Sequence, residues 1–169
     1  MSKPATRISI DDIDPRSRII LRRSAGKRLS DCSDALAAFY KNVPAEIRPI
    51  DEPKYFSALT LACALDKEDT NLVPVEEILG NYRAHTSNPE AFDRRLSAMM
   101  NTRWSDSDGL LALQMYRILR AYGNGYSPDC GALFDDLKYW NSPDGRVLRK
   151  WSRRIYRDYS GNQKNEEEN

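Results

Sequence analysis

Apolar residues recur along this chain at intervals of three and four. Leu36, Phe39, Tyr40 and Val43 form one such face. Phe56, Leu59, Thr60 and Cys63 form the next, followed by Val75, Ile78, Leu79 and Tyr82. Phe92, Leu96 and Met99/Met100 continue the series. The longest run is Leu110, Leu111, Leu113, Tyr116, Ile118 and Leu119. Leu133, Phe134, Leu137 and Trp140 come next, and Val147, Trp151, Ile155 and Tyr159 close the series. This is the period of helices that bury one face. Strand-like alternation is confined to Arg7–Ile10.

The punctuation between these faces is also helical. Asp14-Pro15, Asn88-Pro89, Ser127-Pro128 and Ser142-Pro143 each pair an N-cap residue with proline at the first helical position. Ser105 and Asp108 resemble a weak capping box. Gly26 and Gly123 are placed to stop helices. The pattern predicts about eight helices, over 15–25, 31–43, 53–65, 75–85, 89–101, 106–122, 128–140 and 143–159. The expected fold class is all-α. Short connections favour antiparallel packing, as one bundle or as two packed helical lobes. The lobes would be 15–85 and 88–160, meeting at Thr86–Pro89, with 1–14 an N-terminal extension. Asp66–Pro74 is the one long loop. Residues 161–169, with Glu166–Glu168, read as a disordered acidic tail.

Composition narrows the class. The chain has 169 residues, enough for one domain or two small lobes. No apolar run is long enough to span a bilayer, and Met1 to Asp14 lacks a signal-peptide core. The expected location is cytoplasmic. Cys32, Cys63 and Cys130 are an odd number, far apart, in apolar-patterned segments. They read as small buried residues rather than disulfide partners. His85 stands alone near a helix end, where a partial positive charge is favourable, so no zinc site is expected.

Charge changes the picture more. The net charge is only +1, yet two stretches hold basic residues and no acid. One contains Arg16, Arg18, Arg22, Arg23, Lys27 and Arg28. The other contains Arg146, Arg149, Lys150, Arg153, Arg154 and Arg157. Concentrated positive charge suits a phosphate backbone. In the last helix, Arg146, Lys150, Arg153 and Arg157 line a stripe distinct from Val147, Trp151, Ile155 and Tyr159. Ordinary solvated faces interleave acids one turn away, and none occurs here. Arg22 and Arg23 end a helix, where cations also suit the helix dipole. Ser24-Ala25-Gly26-Lys27 lacks the first glycine and the spacing of a Walker A loop, so it does not predict nucleotide triphosphate binding.

A third basic set lies mid-chain. Arg94 and Arg95 are consecutive and project about 100° apart. Arg103 precedes Trp104 in a loop, and Arg117 and Arg120 lie one turn apart on the long helix. Trp104 can stack on a base or sugar, although a loop tryptophan more commonly packs on its own domain. Asp135 and Asp136 adjoin but project to different faces. Asp106 and Asp108 read as helix-start acids. No convergent carboxylate set for a metal emerges, no cofactor is expected, and an enzyme is the least favoured class.

The chain resembles the CasB family, the small subunit of the type I-E CRISPR Cascade complex. Leu21-Arg22-Arg23-Ser24 followed by "LAAFYKNVP", Leu36–Pro44, carries the first part of the likeness. "RRLSAMM", Arg94–Met100, and the long helix with Arg117 carry the second. "LFDDLKYWNSPDGRVLRKWSRRIYRDY", Leu133 to Tyr159, is the most persuasive. The likeness spans most of 18–160. Relatives place a tryptophan-containing helix ahead of the Arg-Arg segment, where this chain has only Met1 to Pro15.

The resemblance implies an all-helical, non-catalytic subunit of a ribonucleoprotein. Its implied partners are crRNA and target DNA, single-stranded or in an R-loop, the Cascade backbone and large subunits, and further copies of itself. Arg22 and Arg23 match the family's Arg-Arg position, and Arg117 its basic long-helix position. Arg146–Arg157 matches only as a region. The expected function is sequence-independent backbone binding that stabilises the R-loop and its displaced strand. Arg22, Arg23, Lys27, Arg28, Arg94, Arg95, Arg103, Arg117, Arg120, Arg146, Arg149, Lys150, Arg153 and Arg157 are the candidate contacts. The alternatives are a helical spacer that binds only protein, or a helix-turn-helix regulator reading DNA near Arg117–Arg120.

Overall fold

A computed structural model describes residues 10–68, 70–123 and 125–158. Among them lie eight α-helices: α1 (Pro15–Arg23), α2 (Leu36–Asn42), α3 (Glu52–Leu65), α4 (Val75–His85), α5 (Glu90–Met100), α6 (Leu110–Tyr122), α7 (Cys130–Lys138) and α8 (Arg146–Ser152). A π-helical turn, Arg153–Asp158, continues α8. Short 3-10 turns precede α1, α2 and α3. The all-α class is as expected, and each expected helix is present; α4 has the expected bounds, α3 starts one residue earlier, and the other six are trimmed.

The trimming has local causes. Asp14 caps α1 as read, its carboxylate accepting the Ser17 N–H at 3.0 Å. Ser127 does not cap α7. Ser127–Pro128 instead forms a two-residue parallel bridge, β2, with Leu72–Val73, β1. The Ser127 hydroxyl also accepts the Lys67 N–H at 2.8 Å, so the long loop is tied down. Asp129 caps α7 in its place, accepting the Ala132 N–H at 3.2 Å. Gly109 takes a left-handed φ of 62°, which delays α6 to Leu110. An L side chain is strained there. The α8 stripe repeats every fourth residue, which drifts around a helix of 3.6 residues per turn. The wider π turn takes up that drift, and Val147, Trp151 and Ile155 are all buried.

The core is one contiguous cluster running from Ile10 to Ile155, across the boundary drawn at Thr86–Pro89. Its axis is α3, on which α1, α6 and α7 all pack. Every residue from Tyr55 to Cys63 is therefore buried, not only the face that the period picked out. Ring pairs lock the neighbours: Phe39 on Phe56, Tyr55 on Phe134, and Trp140 edge-on to Trp151 at 5.1 Å. Ile10 and Ile13 are also buried, so packing begins ahead of α1. Ile10 opens a 3-10 turn rather than ending a strand. Arg7–Ser9, Tyr159 and the tail at 161–169 lie outside the described residues. No helix among the described residues is long and apolar enough to cross a membrane.

Candidate nucleic-acid interface

Arg22 and Arg23 occupy the last turn of α1. The Ser24 N–H closes that turn on the Leu21 and Arg22 carbonyls. The chain then reverses at Gly26, whose φ is +78°. A Cβ there would sit 3.2 Å from Cδ1 of Tyr116 on α6. Only glycine permits both that backbone angle and that approach. The basic turn therefore lies directly on α6. Arg28 fastens it further, donating to the Ser107 carbonyl and to both carboxylate oxygens of Asp31, at 2.7 and 2.9 Å. The Arg28 hydrogen bond holds the Asp31 carboxyl below the usual carboxylate range. Arg28 is thus a neutralised tie. Arg22, Arg23 and Lys27 are exposed and form no ion pair among the described residues.

On α6, Leu111, Met115, Ile118 and Leu119 face the core. Tyr116 lies on the flank that touches Gly26, and Arg120 stands one turn beyond it on the same flank. Arg117, the next residue after Tyr116, lies about 100° around α6 from it. Arg117 and Arg120 are exposed without an ion pair among the described residues. The Gly26–Tyr116 seam therefore sets two sets of unneutralised cations on adjoining elements, distant in sequence.

The neighbouring basic residues divide. Arg103 is exposed in the loop beside Trp104. Trp104 packs on the core, as the commoner reading had it, and its indole N–H donates to Asp106 at 2.6 Å. Arg95 donates to the Tyr122 hydroxyl at 3.1 Å and lies over that ring. Arg94 projects outward from α5 and is exposed.

The α8 row behaves differently. The acids missing from its own sequence arrive from α4 and α7. Lys150 Nζ lies 2.5 Å from Asp136 and 3.6 Å from Glu76. Asp136 is buried and also accepts the Trp151 indole N–H at 2.9 Å. Burial, reinforced by the Asp136 charge, raises the Glu76 carboxyl above its ordinary value. Burial disfavours the Lys150 ammonium, but the Asp136 hydrogen bond and charge outweigh it and raise its pKa. Arg154 reaches Glu77 at 2.8 Å, and Arg146 stacks over Tyr139 at 4.1 Å. Arg149, Arg153 and Arg157 are exposed without an ion pair among the described residues. The row flanks a cleft of about 480 Å³ whose other wall holds Glu76 and Glu77.

Sequence reasoning missed three organisers: Tyr116, Asp136 and Arg83. Arg83 pairs with Asp93 of α5 at 3.0 Å and lies over Tyr156. Each acts through partners remote in sequence, and no local spacing signals that. The cysteines and the histidine lie as their sequence setting suggests. Cys32, Cys63 and Cys130 are buried and unpaired. His85 sits with Nδ1 2.8 Å from the Asn81 carbonyl, at the end of α4. Among the described residues no three His, Cys, Asp or Glu side chains converge as metal ligands.

The family model for CRISPR-associated protein Cse2 matches residues 18–156, from within α1 to the π turn. The chain belongs to that family. Membership makes it a CRISPR-associated protein and a Cascade subunit. The crystal structure of CasB from Thermobifida fusca is similar in fold, with a TM-score of 0.56 at 22% identity. That match covers 84% of this chain and 86% of the other. At such identity the likeness speaks to fold alone. No curated protein gives a significant match. The matched span holds Arg22, Arg23, Arg117 and Arg120, so the Gly26–Tyr116 seam lies inside the family's domain.

Proposed function

We propose that this Cascade subunit is a non-catalytic clamp on polynucleotide backbone. Arg22, Arg23, Lys27, Arg117 and Arg120 grip phosphates of the crRNA/target R-loop and its displaced strand. The observation that supports this is the contact of Gly26 with Tyr116, which brings the turn after Arg22 and Arg23 against α6, the helix that carries the exposed Arg117 and Arg120. Cations on phosphates release counterions, which gives affinity without base readout. R-loop opening is nearly balanced, because the heteroduplex replaces a duplex of similar stability. Contacts of about 1 kcal/mol or less each can therefore tip it.

The α8 row suits a different partner. Its Lys150 and Arg154 are already engaged by Asp136 and Glu77. Arg149, Arg153 and Arg157 then form a sparser face, suited to docking on acidic surfaces of backbone or large Cascade subunits.

Single-stranded DNA binding tests the clamp. Wild-type protein should bind with affinity that falls steeply as salt rises. Each phosphate contact removed should flatten the logarithmic salt slope by roughly 0.7. Charge reversal at Arg22/Arg23 should weaken binding equally for unrelated sequences. Absence of binding at tens of micromolar protein would favour a spacer that touches only protein.

A further inference from the structure

We propose that a groove beside the basic turn takes up a nucleobase of the bound single strand, with Trp104 as its aromatic wall. This rests on the clamp reading and extends it from phosphates to one base. The groove encloses about 330 Å³ between the Lys27–Ser33 turn, the starts of α2 and α3, and the loop leading into α6. That volume lies at the small end of the range for ligand pockets, about 300–1,000 Å³. Leu29, Leu36, Pro53, Trp104 and Ala112 make it mostly apolar, and Ser57 adds a hydroxyl-bearing side chain to its lining.

Two facing walls of the groove, the Trp104 loop and the Arg28 turn, are fastened. Asn141 grips Trp104 at both ends of its peptide: Oδ1 accepts the Trp104 N–H at 2.8 Å, and Nδ2 donates to its carbonyl at 2.9 Å. The Trp140 indole N–H donates to the Thr102 carbonyl at 2.9 Å, pinning the start of the loop. The Trp104 indole is itself held by Asp106. Arg28 ties the opposite wall to Ser107. A preformed site requires little ordering when its ligand enters.

Lys27 gives the groove its one cation outside an ion pair among the described residues: Arg28 also lines it but is paired with Asp31, and the lining carboxylate of Asp106 is taken up by the Trp104 indole. A planar apolar group attached to phosphates satisfies Lys27 and the aromatic wall together, which is the combination found in single-strand binding proteins. An uncharged apolar peptide would leave Lys27 unmatched. Any base has a π-face, so uptake is sequence-tolerant and compatible with a backbone clamp.

The test compares the full chain's binding of oligo(dT) with an abasic strand of equal length, while following tryptophan fluorescence. Trp140 and Trp151 are 2% and 0% exposed, so Trp104 is the reporter that a base can reach. Oligo(dT) should bind about tenfold more tightly than the abasic strand and quench the emission. Trp104→Ala should erase both effects and leave the salt slope unchanged, while Trp104→Phe retains part of the preference. Leu36→Phe adds bulk from an exposed wall position and should also reduce the preference. Equal affinity for both strands without quenching overturns the pocket and leaves the clamp standing. Quenching by millimolar thymidine 5′-monophosphate without strand binding keeps the pocket and overturns the clamp. No response to strand or nucleotide overturns both.

Discussion

Gly26 holds a φ of +78°, and Tyr116 leaves no space for a Cβ at ordinary contact distance. Gly26→Val should therefore destabilise the fold by about 1–3 kcal/mol, read as a lower denaturant midpoint. It should also separate the basic turn from α6 and weaken single-strand binding more than the stability loss alone would. Unchanged stability would mean that the turn can re-form elsewhere. The cysteines give a second residue-scale prediction. Burial pushes the Cys63 thiol from an ordinary value of 9.0 up to about 12, and raises Cys130 as well. Unfolded thiols ionise near 9 while the folded ones hold their protons. Stability should thus fall as pH rises past 9, by linkage. At pH 8 the buried thiols should react with a thiol reagent only as the protein unfolds. Rapid stoichiometric labelling of native protein would contradict their burial.

At the scale of elements, the apolar period was legible because it is local, and it located all eight helices. Asp14-Pro15 marked α1, but other start signals did not hold: Pro89 rather than Asn88 stands at the N-cap of α5, Gly109 rather than Ser105 at that of α6, and Gly145 rather than Ser142 at that of α8. Two further features escaped. Ser127 looked like a cap because it precedes proline, but its hydroxyl serves the loop at Lys67, some sixty residues earlier. Asp129 is the working cap, so Asp129→Ala should cost about 1 kcal/mol, measured by thermal or denaturant melting. An equal loss in protein lacking only the Ser127 hydroxyl would not reassign the cap, since that group ties a different loop. The second feature is the neutralisation of α8. Its sequence shows cations alone, whereas Asp136, Glu76 and Glu77 reach it from α7 and α4. Lys150→Ala strands a buried carboxylate with one remaining donor, Trp151, and should cost about 1–3 kcal/mol. The combined Lys150→Met/Asp136→Leu variant should recover part of that loss, because removing both partners leaves no unpaired charge. If the double variant is as unstable as the single, the pair's packing rather than its charge is what holds α8 to α7.

For the molecule as a whole, the positions of the arginines were readable but their freedom was not. Freedom depends on which carboxylates the fold delivers, and those lie far away in sequence. Fourteen candidate contacts thereby sort into groups of different character. Arg28 and Lys150 are engaged in ion pairs, and Arg95 and Arg146 rest on aromatic rings. Arg94, Arg103, Arg149, Arg153 and Arg157 are exposed elsewhere, and Arg22, Arg23, Lys27, Arg117 and Arg120 are exposed, without an ion pair among the described residues, on the two elements that meet at Gly26 and Tyr116. On the clamp proposal these five act together on a strand while the α8 row docks on protein. The most direct measurement is R-loop lifetime in the assembled Cascade complex, at moderate salt, on several unrelated targets. Arg22→Glu/Arg23→Glu and Arg117→Glu/Arg120→Glu should each shorten that lifetime on every target, whereas Arg149→Glu/Arg153→Glu should alter subunit retention instead. Full lifetime in both seam variants, with the subunit still bound, would contradict the clamp.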